Sequence, residues 1–219
     1  MGIYLEALIL YVLLFLGGPA SVPDFTGGRL SNLTSELTRI FLYIIPSLAL
    51  IWYLLKLRVS KSSGTGQAEW GTRPGKNDVL SFFITFPSLL INGILITFAS
   101  SYFGNPAQVT PTPPSDTLGW VILCFTCIST AYLEESFFRY YILSQRDEFG
   151  LKLVPALFIS VVLFSICHIY AGPWGVLNSV ISGAFLACVF LRYKSLHGIA
   201  FAHAFYNITV FLIIAFTGG

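Results

Sequence analysis

Apolar runs alternate with short polar segments along the whole chain. The runs cover residues 3–16, 37–57, 79–101, 118–143, 153–170, 174–191 and 198–216. A helix that crosses the hydrocarbon core of a bilayer needs about 20 mostly apolar residues. The first run is short of that length and contains Glu6. The pattern predicts an all-α, polytopic transmembrane bundle of about seven spans, with six to eight as the open range.

The polar segments between the runs predict the connections. We expect loops over residues 21–36, 56–78 and 102–117, a charged turn over 144–152 and a tight basic connection over 192–197. Pro46 lies inside the second run. Proline cannot donate a helical hydrogen bond, so we expect a kink there.

The composition agrees with a membrane protein. Of the 219 residues, 55% are hydrophobic and 10% are charged, whereas soluble domains average about 25% charged residues. We therefore expect residues 1–219 to form a single integral membrane domain in contact with the lipid bilayer. The chain lacks a long basic run, which argues against nucleic acid as a partner.

The basic residues predict an orientation. Loops on the cytoplasmic side of membrane proteins carry an excess of Lys and Arg. With the N-terminus inside, seven spans place nine of the twelve basic residues in inner loops: Lys56, Arg58, Lys61, Arg73, Lys76, Arg146, Lys152, Arg192 and Lys194. Only Arg29 and Arg39 fall outside. We therefore expect the N-terminus inside and the C-terminus outside.

The fourth run contains three ionisable residues within six positions, Glu134, Glu135 and Arg139. A charge at the centre of a bilayer costs about 2.5–3.5 kcal/mol on insertion scales, so such residues usually face a bundle interior or a polar cavity and mark functional sites. Glu135 and Arg139 are four residues apart and share a helix face, where they can neutralise each other. Glu134 points about 100° away and has no such partner.

Three further polar residues lie in the later runs: His168, His203 and Asn207. His203 and Asn207 are also one helical turn apart, so both can point at one spot. In an antiparallel hairpin around the charged turn, Glu134 and His168 come to a similar depth. His203 follows the inner connection by only a few residues, so a tilt, a broken helix or an embedded turn is needed to bring it to that depth.

Purely structural explanations exist for each residue alone. A membrane-buried histidine often just bonds to a neighbouring helix, and Glu135 with Arg139 can simply hold helices together. The combination of an unpaired glutamate with two histidines on three different spans is harder to explain by structural roles alone and favours a chemical function.

These residues form three motifs: Glu134-Glu135-x-x-x-Arg139, Phe164-x-x-x-His168 and His203-x-x-x-Asn207. In order and spacing they resemble the CPBP (Abi) family, which includes the type II CAAX prenyl proteases and bacterial proteins linked to bacteriocin processing or self-immunity. The resemblance covers residues 118–211, the motif-bearing core. One departure is Tyr140, where many members have glycine. It raises the question of altered helix packing or pocket width.

The resemblance implies an intramembrane endopeptidase of glutamate type in the plasma membrane of a prokaryote. Glu134 with His168 would activate a water molecule, His203 and Asn207 would stabilise the oxyanion, and Glu135 and Arg139 would support the site. No cofactor is expected, although Glu134, His168 and His203 also suit a zinc site with an open position.

Other functions stay open from the sequence. The alternatives are a non-catalytic immunity protein that binds a peptide or bacteriocin, and a transporter or proton relay. The expected substrate is a membrane-associated peptide or protein: a CAAX-type tail, a leader, or the C-terminal sorting tail of an exported protein. The sequence does not indicate an oligomeric state.

Overall fold

The structure is a computed structural model, and it describes residues 3–16, 29–61, 74–103, 111–147 and 149–217. These ranges are almost entirely helical. The α-helices are α1 (Ile3–Tyr11), α2 (Arg29–Thr38), α3 (Ile45–Lys61), α4 (Lys76–Tyr102), α5 (Thr117–Glu135), α6 (Leu153–Ile166), α7 (Gly172–Tyr193) and α8 (Leu196–Thr217). Three π-helical segments, Val12–Leu16, Arg39–Ile44 and Ser136–Ser144, extend α1, join α2 to α3 and extend α5.

Together these segments make seven helical rods in the described ranges, which confirms the all-α prediction. Five rods are long and apolar enough to cross a membrane: Asn32–Leu57, Lys76–Tyr102, Thr117–Ser144, Ile169–Tyr193 and Leu196–Thr217. The rods at Tyr4–Leu16 and Leu153–Ile166 are shorter. These five helices identify the chain as an integral membrane protein. The predicted number of about seven full spans is not confirmed.

The second rod begins earlier than the sequence pattern predicted. α2 starts at Arg29, so the last part of the expected loop at 21–36 is helical; residues 21–28 lie outside the described ranges. The segment Arg39–Ile44 is π-helical, and α3 resumes one residue before Pro46. A proline lacks the N–H that an α-helix would use at this point, so the irregular turn falls where the kink was predicted.

The fifth rod ends earlier than predicted. α6 stops at Ile166 instead of reaching residue 170, and a 3₁₀ turn at Ile169–Ala171 leads into α7. Gly172 has φ +74°, a conformation that glycine adopts readily, and Pro173 follows in the first turn of α7. His168 therefore lies at a helix break and not inside a continuous span.

The short first helix is bound to the rest of the bundle by hydrogen bonds. The hydroxyl of Tyr11 donates to the carbonyl of Leu163 on α6 over 2.9 Å. The hydroxyl of Tyr141 donates to Glu6 over 2.7 Å, which satisfies the carboxylate that made this run unusual. α1 is thus part of the packed bundle.

The connection between α7 and α8 is buried inside the protein. Ser195 and Leu196 are 1% and 0% exposed. The carboxylate of Asp78, at the start of α4, accepts hydrogen bonds from the Ser195 hydroxyl over 2.5 Å and from the Gly198 N–H over 3.2 Å. The start of α8 is therefore packed against the start of α4. The structure places His203 3.8 Å from Glu134, and the depth of the two residues in the membrane stays a prediction.

Removing this contact should destabilise the protein. In an Asp78→Ala variant, the buried Ser195 hydroxyl loses its acceptor, the N–H of Gly198 keeps only the Ser195 oxygen at 3.1 Å, and the exposed N–H of Gly75 bonds to water instead. Buried donors without partners cost about 1–3 kcal/mol each. We expect thermal unfolding in detergent at a clearly lower temperature than for Asp116→Ala, which removes the local cap of α5 at Gly119. Equal effects of the two substitutions would show that the embedded turn does not depend on Asp78.

Candidate active site

The glutamate pair lies where α5 changes its helical geometry. Glu134 and Glu135 are the last residues of α5, and the π-helical segment Ser136–Ser144 follows at once, all of it buried. π-helical turns are often found at functional sites because they change the direction of nearby side chains. Glu134 is 4% exposed and Glu135 is 0% exposed.

Glu135 bridges two helices. Its Oε2 lies 3.1 Å from Nε of Arg139, although the alignment departs from ideal hydrogen-bond geometry. Its Oε1 lies 3.0 Å from Nδ1 of His203 on α8. An ion-paired carboxylate can only accept, so Nδ1 of His203 carries a proton and donates it to Glu135. The pair predicted between Glu135 and Arg139 is therefore present, and it also orients His203.

Arg139 is held by two further groups. One terminal nitrogen donates to the backbone carbonyl of Gly183 on α7 over 3.1 Å. The guanidinium carbon lies 4.4 Å from the ring centre of Phe164 on α6, within the range of a cation–π interaction. Arg139 thus connects α6 and α7 to the segment that carries the glutamates.

Glu134 faces the other side of His203. Its Oε2 lies 3.8 Å from Nε2 of His203, too far for a direct hydrogen bond. The imidazole ring therefore lies between the two glutamates, with one nitrogen toward each. Catalytic contacts are often longer in an unliganded protein than in its substrate complex.

His168 takes its orientation from the end of α6. Its Nδ1 lies 2.8 Å from the carbonyl of Phe164, a backbone oxygen left over where the helix stops. A carbonyl only accepts, so Nδ1 donates and Nε2 retains a lone pair for a proton. The rings of His168 and Phe164 lie 4.7 Å apart.

One cavity brings the predicted residues together. It has a volume of about 200 Å³, and its walls include Glu134, His168, His203 and Asn207. Glu135 and Arg139 lie behind this wall. Asn207 lies one turn beyond His203 on α8, as the spacing predicted. The chemical roles of these residues stay predictions.

The three possible zinc ligands, Glu134, His168 and His203, all lie on the cavity wall. In the part of the chain that the structure describes, no three His, Cys, Asp or Glu side chains are arranged to hold a metal ion. This geometry lends no support to the zinc alternative, which stays a question for experiment.

Sequence reasoning missed a polar group on the cavity wall. Asn178 on α7 lines the cavity with Tyr206. The side chain of Asn92 on α4 donates to Oδ1 of Asn178 over 2.7 Å, and Asn178 is hydrogen-bonded to Tyr206. The sequence signal that could have indicated this group is the presence of single asparagines, Asn92 and Asn178, within apolar runs.

A second buried pair was missed at the start of the second rod. Glu36 and Arg39 lie 3.1 Å apart and are 3% and 6% exposed. Thr126 on α5 donates to the Glu36 carboxylate over 3.0 Å. Arg39 was expected outside the membrane core; it is buried against α5 because this rod starts eight residues earlier than predicted, at Arg29.

Tyr140, the departure from the family pattern, packs away from the cavity. Its ring stacks on Trp52 of α3 with 5.2 Å between centroids, and the residue is 2% exposed. It is not among the described residues that line the cavity. Its effect is therefore on the contact with α3 and not on the width of the pocket.

Gly183 sets the distance between α7 and the site. A Cβ atom at this position would lie 2.8 Å from Cδ1 of Phe164, closer than carbon atoms normally approach. We expect Gly183→Ala to lower stability by about 1–3 kcal/mol through overpacking and to weaken the site by moving Phe164. Cys188→Val, on the exposed face of the same helix, is the control and should behave as wild type. A Gly183→Ala protein of unchanged stability would contradict this packing account.

Comparison with known proteins identifies the motif-bearing part. Residues 116–209 match the family model described as type II CAAX prenyl endopeptidase Rce1-like. Searches of curated proteins and of solved structures found no match. The family resemblance read from the three motifs is thereby confirmed over the motif-bearing part: residues 116–209 are similar to the Rce1-like, type II CAAX prenyl endopeptidase family, which is a peptidase family.

Proposed function

We propose that the protein is an intramembrane endopeptidase that hydrolyses one peptide bond in a membrane-associated protein or peptide. The observation that carries this proposal is the convergence of Glu134, His168, His203 and Asn207 on one cavity inside a membrane bundle. The match to a peptidase family supports the same reaction class.

In the proposed mechanism, Glu134 and His168 activate a water molecule. Glu134 acts as the general base. Among the described residues, no basic side chain lies within hydrogen-bond distance of its carboxylate. Nε2 of His168 has the free lone pair that follows from the Nδ1 contact with Phe164. The water attacks the scissile carbonyl, its proton passes to this pair, and the pair returns a proton to the leaving amine. General acid–base catalysis of this kind contributes about 10²–10⁴-fold in rate.

His203 and Asn207 stabilise the oxyanion in this mechanism. The buried cluster contains two carboxylates, Glu134 and Glu135, and one guanidinium, Arg139, so its net charge is −1 when His203 is neutral. A second proton on the His203 ring makes the cluster neutral. Nε2–H of that imidazolium and the amide of Asn207 then donate to the developing oxyanion. Donors of this kind are worth about 2.7–4 kcal/mol each in other hydrolases.

Glu135 and Arg139 support the site without touching the substrate. Glu135 fixes the His203 ring through the 3.0 Å contact with Nδ1. Arg139 compensates the charge of Glu135 and connects to α6 and α7. We therefore assign both residues to the positioning of His203.

We also propose a location in the plasma membrane of a prokaryote, with the N-terminus inside. The basic residues at the ends of the helices support this orientation through the positive-inside rule. The nature of the family supports a substrate that is itself held at the membrane.

The test is cleavage by purified wild-type protein of a panel of tail and leader peptides, with and without a metal chelator. We expect cleavage of at least one peptide at a single bond, unaffected by the chelator. Loss of cleavage with chelator that zinc restores would move the mechanism to the zinc-dependent alternative. Peptide binding without cleavage across the panel would favour the non-catalytic peptide-binding function.

A further inference from the structure

The cavity extends from the catalytic residues toward one end of the bundle. Its walls reach Pro111, just before α5 begins, and Tyr170, in the 3₁₀ turn before α7. α4 ends at the same place, where the ring of Phe103 stacks on Trp174 at the start of α7 with 6.0 Å between centroids. Tyr170 is 38% exposed, so this end of the cavity reaches the surface of the described structure.

The opposite end of the site is closed by packed side chains. Leu186 forms part of the cavity wall on that side and is 1% exposed. Beyond it lie the embedded turn at Ser195–Leu196 and the contacts of Asp78 with the start of α8. Asn77 also binds the carbonyl of Tyr193, which joins the start of α4 to the end of α7. A peptide therefore has no described path to the cavity from this end.

The basic residues are concentrated at the closed end. They lie in the last turns of α3 and α7, at the first residue of α4, before α6, and just after the π segment and α7: Lys56, Arg192, Lys76, Lys152, Arg146 and Lys194. Burial, together with the nearby charge of Arg146, lowers the pKa of Lys194. At the open end, Asp116 caps α5 and the described basic residues are Arg29 and the buried Arg39.

We infer that the cavity opens on the side of the membrane away from the cytoplasm. The closed end carries the excess of positive charge, and that excess marks the cytoplasmic side of membrane proteins. If the cavity opens there, the proposed peptidase function has a consequence for the substrate, and this step rests on that proposed function. The substrate is a peptide segment that reaches the enzyme after export, such as the membrane-bound tail of an exported protein. A tail that stays in the cytoplasm would face the closed end.

The walls of the open half fit an uncharged, extended peptide. Asn178, Ser179 and Thr130 present amide and hydroxyl groups, and Val210 and Phe211 present apolar surface. The described lining residues include one carboxylate, Glu134, and no Lys or Arg. A segment with charged side chains would find no opposite charge for them on the approach to the site, whereas backbone amides would find hydrogen-bond partners.

Chemical labelling tests the inference without any need for enzyme activity. In a full-length protein with Cys124, Cys127, Cys167 and Cys188 replaced by alanine, single cysteines are introduced as Asn178→Cys in the cavity wall and Lys152→Cys at the closed end. A membrane-impermeant maleimide is added to intact bacterial cells and, separately, to permeabilised cells. We expect Asn178→Cys to react in intact cells and Lys152→Cys to react only after permeabilisation.

Reaction of Asn178→Cys only after permeabilisation, or in neither sample, would overturn the inference. Val210→Cys, on the facing wall of α8, replaces it if Asn178→Cys does not yield folded protein by size-exclusion chromatography. Because labelling does not depend on cleavage, a protein that labels as expected but cleaves no peptide contradicts the proposed function and leaves the orientation supported.

A second measurement tests the substrate class. A tail peptide cleaved by the purified protein is fused to a reporter that is either exported with a signal sequence or kept in the cytoplasm. We expect cleavage of the exported reporter alone in cells that contain the wild-type protein. Cleavage of the cytoplasmic reporter alone would overturn the proposal even if the peptidase activity itself is established.

Discussion

A Glu134→Gln variant should lose peptide cleavage almost completely, with kcat/KM reduced by about 10²–10⁴-fold, the range of general acid–base catalysis. Glutamine has nearly the same shape as glutamate, so it fills the same place on the cavity wall, but it cannot take a proton from water. The residue is 4% exposed and has no direct hydrogen bond to His203 at 3.8 Å, so its removal should disturb packing little.

The matched control for Glu134→Gln is Glu36→Gln. Glu36 is also buried and pairs with an arginine, but it lies on the second rod and outside the described cavity walls. This control should lose stability and retain cleavage. Normal cleavage by folded Glu134→Gln protein would remove Glu134 from the chemistry, and equal loss in both variants would point to a general effect of removing a buried carboxylate.

Replacing Arg139 by methionine should have the largest effect on stability. The substitution leaves the buried Glu135 carboxylate with no arginine, and breaking a buried ion pair in this way costs about 3–5 kcal/mol. The contacts of Arg139 with the Gly183 carbonyl and the Phe164 ring are lost as well. We expect a large fall in the thermal unfolding temperature in detergent, together with loss of cleavage.

The double variant Glu135→Gln/Arg139→Met separates charge from packing. Replacing both members of a buried pair is often close to neutral for stability, so the double variant should regain much of what Arg139→Met loses. It should remain poorly active, because glutamine at 135 fixes the Nδ1 of His203 less firmly. A double variant less stable than Arg139→Met alone would show that packing, and not the unpaired charge, dominates.

The helical class and the grouping of the site residues could be predicted from the sequence. Apolar runs and the spacing of polar residues on a helix face depend on local geometry, which is why the pair of Glu135 with Arg139 and the shared face of His203 and Asn207 were found. The confirmed family resemblance depends on the same three motifs.

The helix ends and the cross-helix contacts could not be predicted. The break after Ile166 depends on the turn at Gly172, and hydropathy continues through it unchanged. The hydrogen bond between Asp78 and the start of α8 at Gly198 joins residues about 120 positions apart, and no local pattern connects them. Contacts such as those of Gly183 and Asn178 require knowing which helices are neighbours.

Single-turnover cleavage in water enriched in ¹⁸O tests the central claim most directly. With excess wild-type protein and a peptide from the panel, the account predicts that the new C-terminal carboxylate of the product carries one ¹⁸O atom from the first turnover, because an activated water attacks the peptide bond. Glu134 should remain unlabelled. A product without ¹⁸O, with the label appearing in Glu134 instead, would make the glutamate a nucleophile and contradict the proposed role.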